Sequence, residues 1–325
     1  MQFLNPLTDY AFKKIFGSAE SNDILLSFLN AVLDFAPPYR IAEVRIQDPY
    51  LPPSIKGMKD SFVDVRAIDE QGKHYIIEMQ IMPVASFEQR VLYNACKKYA
   101  GQIASGDDYH LLNDVIALTI TDFTMFEHAA MVSKFKLRDE SGQDYSDDLE
   151  LIFVELPKFR KDESQLADML DKWCYFLRYA KRLHAIPAAL AGEKAIEHAF
   201  SIANRAQLSP EELELQERRE MFIQDQRGMR EKALQDGKLQ GLEQGLQQGL
   251  QQGLQQGLEQ GLEQGLERGL ERGKQLGLEE GTALGLEQGA LQKARDMARS
   301  MKARGMDDAT IADIAGLSQQ EVRNL

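Results

Sequence analysis

Cysteine is scarce in this sequence. Only Cys96 and Cys174 occur in 325 residues, in no C-x-x-C clip and no framework spacing. At most one disulfide is allowed, and thiolate metal sites are excluded. Histidine is equally thin. His74, His110, His128, His184 and His198 lack zinc-ligand spacing, and no Ser-His-Asp or Cys-His set stands out. Zinc hydrolysis and covalent nucleophilic catalysis are therefore set aside. No stretch reaches the run of about 18 apolar residues that a membrane helix needs. The opening Met1-Gln2-Phe3-Leu4-Asn5-Pro6 has no basic n-region, so no secretory leader is expected and a cytoplasmic location is. Positive charge is short as well: 38 Lys and Arg face 51 Asp and Glu, for a net charge of −13. Residues 1–200 carry −8 of this and the remainder −5. Tight nucleic-acid binders show a basic surface, so any nucleic-acid contact here has to be local.

What is present falls into three zones: a globular 1–204, a low-complexity 205–290, and a tail of ordinary composition at 291–325. In the first zone, apolar periodicity predicts helices over 22–33, 87–105, 165–181 and 191–206. Strands are expected at 61–68, 74–81, 114–121 and 149–156, with a turn at 69–73. Strands interleaved with helices imply an α/β fold.

The turn carries the informative chemistry. A three-residue loop at Glu70-Gln71-Gly72 sets Asp69 against Lys73, and antiparallel pairing then sets Asp64 against Glu78. Directly opposed side chains lie about 4.5–5.5 Å apart, and like charges there are destabilising. Magnesium, an oxygen-seeking cation commonly held by one or two carboxylates with phosphate and water, would account for the pair. Gln80 projects from the same face as Glu78 and is placed to orient a water or meet a phosphate. The plainer alternative is an amphipathic hairpin with a solvated acidic face.

Asp64 with Glu78-Met79-Gln80 resembles the D…E-x-K signature of the PD-(D/E)XK nuclease superfamily, with glutamine in place of lysine. Pro6-Leu7-Thr8-Asp9-Tyr10-Ala11-Phe12-Lys13-Lys14-Ile15-Phe16-Gly17 resembles the opening of the Rpn family of recombination-promoting nucleases, also described as PD-(D/E)XK family transposases. Leu29 to Leu33, Asp64 to Ala67, Gly72, Ile77 to Gln80, Arg90, Tyr93, Lys98-Tyr99, Gln102, Gly106 and Phe153 to Phe159 fit the same family in order. The resemblance implies a restriction-endonuclease-like core, a mixed sheet flanked by helices. It also implies hydrolysis of DNA phosphodiester bonds by metal-activated water, in recombination, defence or mobile-element biology. Carried over by position, Asp64 and Glu78 hold the metal, the Met79 carbonyl adds a ligand, and Gln80 fills the lysine slot. Magnesium is the expected cation, with manganese or calcium as alternatives. Lys13, Lys97 and Lys98 are candidates for the missing cationic charge, against a plainer reading as surface lysines. Asp9 is either a further carboxylate beside the metal or the N-cap of a helix starting near Tyr10.

From Gly237 to Gly289 a glycine recurs every fourth residue, fourteen in all, mostly followed by leucine. Such a helix is costly, at about 1 kcal/mol per glycine relative to alanine. Either it associates through its small-residue stripe or it is a low-complexity spacer. The tail predicts two short helices joined at Gly316-Leu317, with Ser318 and Glu321 as a capping box. It resembles part of a helix-turn-helix, and a small cap or dimer contact is the alternative. DNA is the expected partner, with homo-oligomerisation through 237–325. Two competing readings are an inactive nuclease fold that serves assembly and an RNA substrate in place of DNA.

Overall fold

The computed structural model describes residues 1–35, 39–52 and 59–325. It divides into two compact units, Met1–Glu231 and Lys232–Leu325.

The first unit opens with α1 (Asp9–Phe16) and α2 (Asn22–Leu33), followed by strand β1 (Val44–Gln47). Strands β2 (Tyr50–Leu51) and β3 (Ser61–Phe62) form a two-stranded ribbon of their own. Then come β4 (Val65–Asp69), β5 (His74–Gln80), α3 (Phe87–Ala100), β6 (Val115–Thr121), β7 (Val132–Arg138) and β8 (Asp144–Glu155). Helices α4 (Met169–Tyr179) and α5 (Lys194–Ile202) precede α6 (Pro210–Ala303). The main sheet has the order β1-β4-β5-β6-β8-β7, with β5, β6 and β8 parallel and the other pairs antiparallel. Helices flank this mixed sheet, as an α/β restriction-endonuclease-like core requires.

Side chains alternate across the sheet. Val65, Ala67, Tyr75, Ile77, Leu118 and Ile120 join α1, α2, α4 and α5 in the larger core. Ile76, Val115, Ala117 and Phe153 face the other way, onto Phe87, Val91 and Ala95 of α3. β6 is buried along its whole length, which is why it reads as an unbroken apolar run.

The β4–β5 turn has the register expected from sequence. Asp69 N–H donates to the Lys73 carbonyl at 3.1 Å, and Val65 pairs with Ile77. The Asp69 carboxylate fastens the turn by accepting from the Gln71 and Lys73 amides and the Tyr75 hydroxyl. Gly72 sits at φ +88, where a Cβ would meet the Asn113 side chain at 2.9 Å. Its glycine is required both by conformation and by space.

Several boundaries depart from expectation. The strand expected over 61–68 is two strands, because the chain leaves the main sheet at Val63-Asp64. Val63 N–H donates instead to the Pro49 carbonyl at 3.1 Å. The helix expected to run to 105 stops at Ala100, where Gly101 N–H closes on the Lys97 carbonyl at 3.0 Å. Thr8, not Asp9, caps α1: its side chain accepts from the Ala11 amide. Both cysteines are free, Cys96 exposed on α3 and Cys174 buried in α4, so the conceivable disulfide does not form. The first unit also runs on to Glu231 instead of closing at 204, because the start of α6 packs onto it. Gln216 is fully buried there, accepting from Thr8 Oγ1 at 2.9 Å.

In the second unit the glycine repeat is helical throughout, within α6. The leucines from Leu242 to Leu270 are 60–76% exposed, and a Cβ added at any repeat glycine would meet nothing within 4 Å. Near the end of α6, Ala298 packs with Ile311, Ala312 and Ala315 of α7 (Asp308–Ala315) and Val322 of α8 (Gln319–Arg323). The Ser318–Glu321 capping box forms as expected.

Candidate active site

Where the chain peels away from the sheet, Asp64 is left beside β5 without a place in the ladder. Its side chain substitutes for one, with Oδ2 accepting from the Met79 amide at 2.8 Å. The β4–β5 ladder ends at Val65–Ile77, and the Asp64 carboxylate reaches β5 at the Met79 amide, next to Glu78. Glu78 lies on the α3 face of the sheet and is 7% exposed. Asp64, Glu78, Met79 and Gln80 all line one cleft of about 330 Å³, with Asp9 from α1, Arg90 from α3 and Arg219 from α6.

The two acids are supported differently. Glu78 accepts from Asn94 Nδ2 at 2.8 Å and lies 3.6 Å from the Arg90 guanidinium. Asp64 Oδ1 lies 3.3 Å from Lys13 Nζ, which also pairs with Asp9 at 2.8 Å. Burial pushes the Asp64 carboxyl up to about 6, against the pull of the Met79 amide and the Lys13 charge. Burial raises Glu78 as well, more than Asn94, Arg90 and Lys13 lower it. Burial also acts upward on Asp9, but Lys13 outweighs it and holds that carboxyl below its ordinary value. Burial acts downward on the Lys13 ammonium, and Asp9 and Asp64 together hold it above its ordinary value. Lys13 is therefore a fixed cation between two carboxylates.

Gln80 has both ends of its amide occupied. Oε1 accepts from Arg90 at 2.8 Å and Nε2 donates to the Met82 carbonyl at 2.8 Å. In this arrangement it fastens Arg90 across the cleft.

Of the sequence candidates, Asp9, Lys13, Asp64, Glu78, Met79 and Gln80 come together here. Lys97 and Lys98 do not. Lys97 is 3% exposed, hence no surface lysine, and its ammonium donates to the carbonyls of Leu51 and Lys59 at 2.7 and 2.6 Å. It ties the β2–β3 ribbon to α3. Lys98 opens into a different cavity beside Arg66.

Sequence reasoning passed over Asn94, although Arg90 and Asn94 stand one helical turn apart on the face of α3 that meets Glu78. It also passed over Arg219. Nothing local marks that arginine; only the packing of the start of α6 against α1 brings it to the cleft, through Glu212 with Tyr10 and Lys14 at 2.5 and 2.6 Å.

Among the described residues, no group of three or more His, Cys, Asp or Glu side chains is arranged to hold a metal ion. The cleft offers instead a buried carboxylate, Glu78, and a partly buried one, Asp64, oxygen donors only, each held above its ordinary pKa because neighbouring cations fail to offset burial. Both the donor chemistry and the charge deficit fit a hard divalent cation that completes its shell with water and substrate.

Comparison with known proteins finds one correspondence: the family model of the PD-(D/E)XK nuclease family transposases matches residues 6–233. No curated protein and no solved structure matches the chain.

Proposed function

The chain belongs to the PD-(D/E)XK nuclease family transposases, and from that premise we propose that the Asp64–Glu78 cleft hydrolyses phosphodiester bonds of DNA with a bound magnesium ion. The observation that carries this reading is the convergence of two under-neutralised carboxylates in one open cleft, Glu78 buried on β5 and Asp64 partly buried just before β4. Asp64 and Glu78 would hold the cation, with the Met79 peptide beside them. Manganese fits the same oxygen donors; calcium fits as a binding substitute. When bound, the cation supplies Lewis-acid charge at the scissile phosphate and acidifies water.

The chain's own groups do the rest. Lys13, kept protonated by Asp9 and Asp64, sets a positive charge beside the reacting phosphate, where charge builds on its oxygens. It therefore takes the role of the lysine absent at position 80. Arg90, fastened by Gln80, and Arg219 draw the strand's phosphates to the cleft rim against a net charge of −13. Water attacks phosphorus in line, the new P–O bond forms, and the bond to the 3′ oxygen breaks. The reading includes a part in recombination or mobile-element movement and self-association of copies through residues 237–325, supported by leucines left exposed every fourth residue.

The test is nicking of supercoiled plasmid in Mg²⁺. We expect cleavage abolished by EDTA and lowered at least about a hundredfold by Asp64→Ala. Cleavage that survives Asp64→Ala would move the site elsewhere. The absence of cleavage in Mg²⁺ and Mn²⁺ would favour the inactive assembly reading, and cleavage of RNA alone would change the substrate.

A further inference from the structure

Beneath the C-terminal half of α3 lies a second cavity, of about 740 Å³, bordered by Arg66, Lys97, Lys98, Tyr50 and Asp48. Arg66 follows Asp64 by two residues. It stands on β4, whereas Asp64 lies just before that strand, so the two cavities open from adjoining stretches of the chain.

The cavity is lined by more cations than anions. Arg66 Nη1 donates to the Tyr50 carbonyl at 2.7 Å, but its Nε is buried and has no partner among the described residues. Lys98 is half-buried, and the influences on its ammonium are burial and the Arg66 charge, with no carboxylate among them. Lys97 is spent on backbone carbonyls. Asp48 is the one carboxylate bordering the cavity, and it also accepts from the Tyr50 amide at 2.8 Å. Two cations against one acid leave a positive excess in a chain of net charge −13. Half-burying a lysine beside an arginine is unfavourable unless an anion joins them.

We propose that the Arg66–Lys98 cavity is a phosphate-binding subsite that holds a backbone phosphate of the nucleic-acid strand engaged in the neighbouring cleft. The planar guanidinium pairs with two phosphate oxygens, and the ammonium contributes a point charge. The naming of the strand as ligand rests on the nuclease reading; the preference for phosphate does not. A free phosphate or a mononucleotide offers the same chemistry, and the experiment separates these sources.

The full-length chain is titrated with a fluorescein-labelled single-stranded 12-mer in Ca²⁺, across a series of salt concentrations. Lys98→Gln should weaken binding about three- to tenfold at low salt and lower the slope of log Kd against log salt by about 0.7 to 1. Arg66→Lys should give a smaller loss of the same kind. Lys194→Gln, which removes an exposed charge on α5, should leave the slope unchanged. Thermal melting confirms that each variant folds. In a parallel arm, inorganic phosphate and deoxythymidine monophosphate are tested for protection against melting. Protection of the wild type but not of Lys98→Gln, with the 12-mer slope unaltered, assigns the cavity to free phosphate and overturns the strand as its ligand. A folded Lys98→Gln chain that matches wild type in both arms overturns the subsite altogether. Plasmid nicking keeps the two ideas apart: an active chain with an indifferent Lys98 refutes the subsite alone, whereas an inactive chain whose 12-mer slope depends on Lys98 refutes the nuclease reading alone.

Discussion

A carboxylic acid held near pH 6 costs a folded protein stability whenever it ionises, and Asp64 is in that position. Its folded pKa lies above its unfolded one. The stabilising contribution is therefore fully present below about pH 4 and is lost as pH rises through 6. Asp64→Asn keeps an acceptor for the Met79 amide and removes the buried charge. We expect it to raise the melting temperature by a few degrees at pH 8 and to leave it unchanged at pH 3.5, as scanning calorimetry would show. A gain equal at both pH values would refute the assignment of the cost to ionisation. In the proposed magnesium complex the same proton would compete with the cation. Below pH 6 the affinity for Mg²⁺ should fall about tenfold per unit for each proton displaced, read by calorimetric titration. The hairpin that brings Asp64 and Glu78 to one cleft was legible in the sequence because its register is simple arithmetic once the turn is recognised. Asn94 was passed over because the docking of α3 on β5, the preceding strand, is what turns it to Glu78, and Arg219 because it reaches the cleft through packing of an element distant in the chain.

At the level of elements, legibility followed periodicity. α2 begins and ends where its apolar spacing places it, and β6 stands within one residue of expectation. The strand expected over 61–68 is broken at Asp64: Val63 packs into the α3-side core and Val65 into the other, so the apolar alternation of the sequence runs on where the chain itself turns. Alternation reports which way side chains face, not which neighbour the backbone meets. The glycine repeat raises a different question. A period of four advances about 40° per repeat, so the leucine stripe circles the helix once in roughly nine repeats, or about 54 Å. Two-stranded supercoils have pitches of about 140–210 Å, so no single straight seam buries the whole stripe. Self-association here should therefore be weak and built from short overlaps. We expect sedimentation equilibrium of the full chain to show reversible, concentration-dependent association, lost in a variant carrying Leu250→Glu, Leu254→Glu and Leu258→Glu. A wild-type chain that stays monomeric at the highest attainable concentration would reduce the repeat to a spacer.

Across the whole molecule, the negative charge and the nuclease architecture are reconciled by where the cations sit. Arg90 and Arg219 line the cleft, Lys13 pairs with its Asp9 and Asp64, and Arg66 with Lys98 borders a second cavity, so in the proposed complex the acidic remainder need not touch the strand. One of those cations, Arg219, belongs to the start of α6, and the family match extends to residue 233. Composition changes near residue 204, but packing does not. Glu212 binds Tyr10 and Lys14, Gln216 is buried against Thr8, Glu220 meets Lys181 at 2.7 Å, and Arg227 meets Asp122 at 2.5 Å. Two truncations follow. A chain ending at Glu231 retains every one of these contacts and should fold, melt cooperatively and nick plasmid at a rate within about threefold of full length, unless pairing of copies is itself needed for cutting. A chain ending at Asn204 removes the Gln216 partner of Thr8 and the Glu212 partner of Tyr10 and Lys14, and strips cover from α1. The loss, on the order of 2–4 kcal/mol, should lower its melting temperature by roughly 5–15 °C and remove Arg219 from the cleft. If the shorter chain melts at the same temperature and cuts as well, the start of α6 is an appendage and the charge argument loses its third cation.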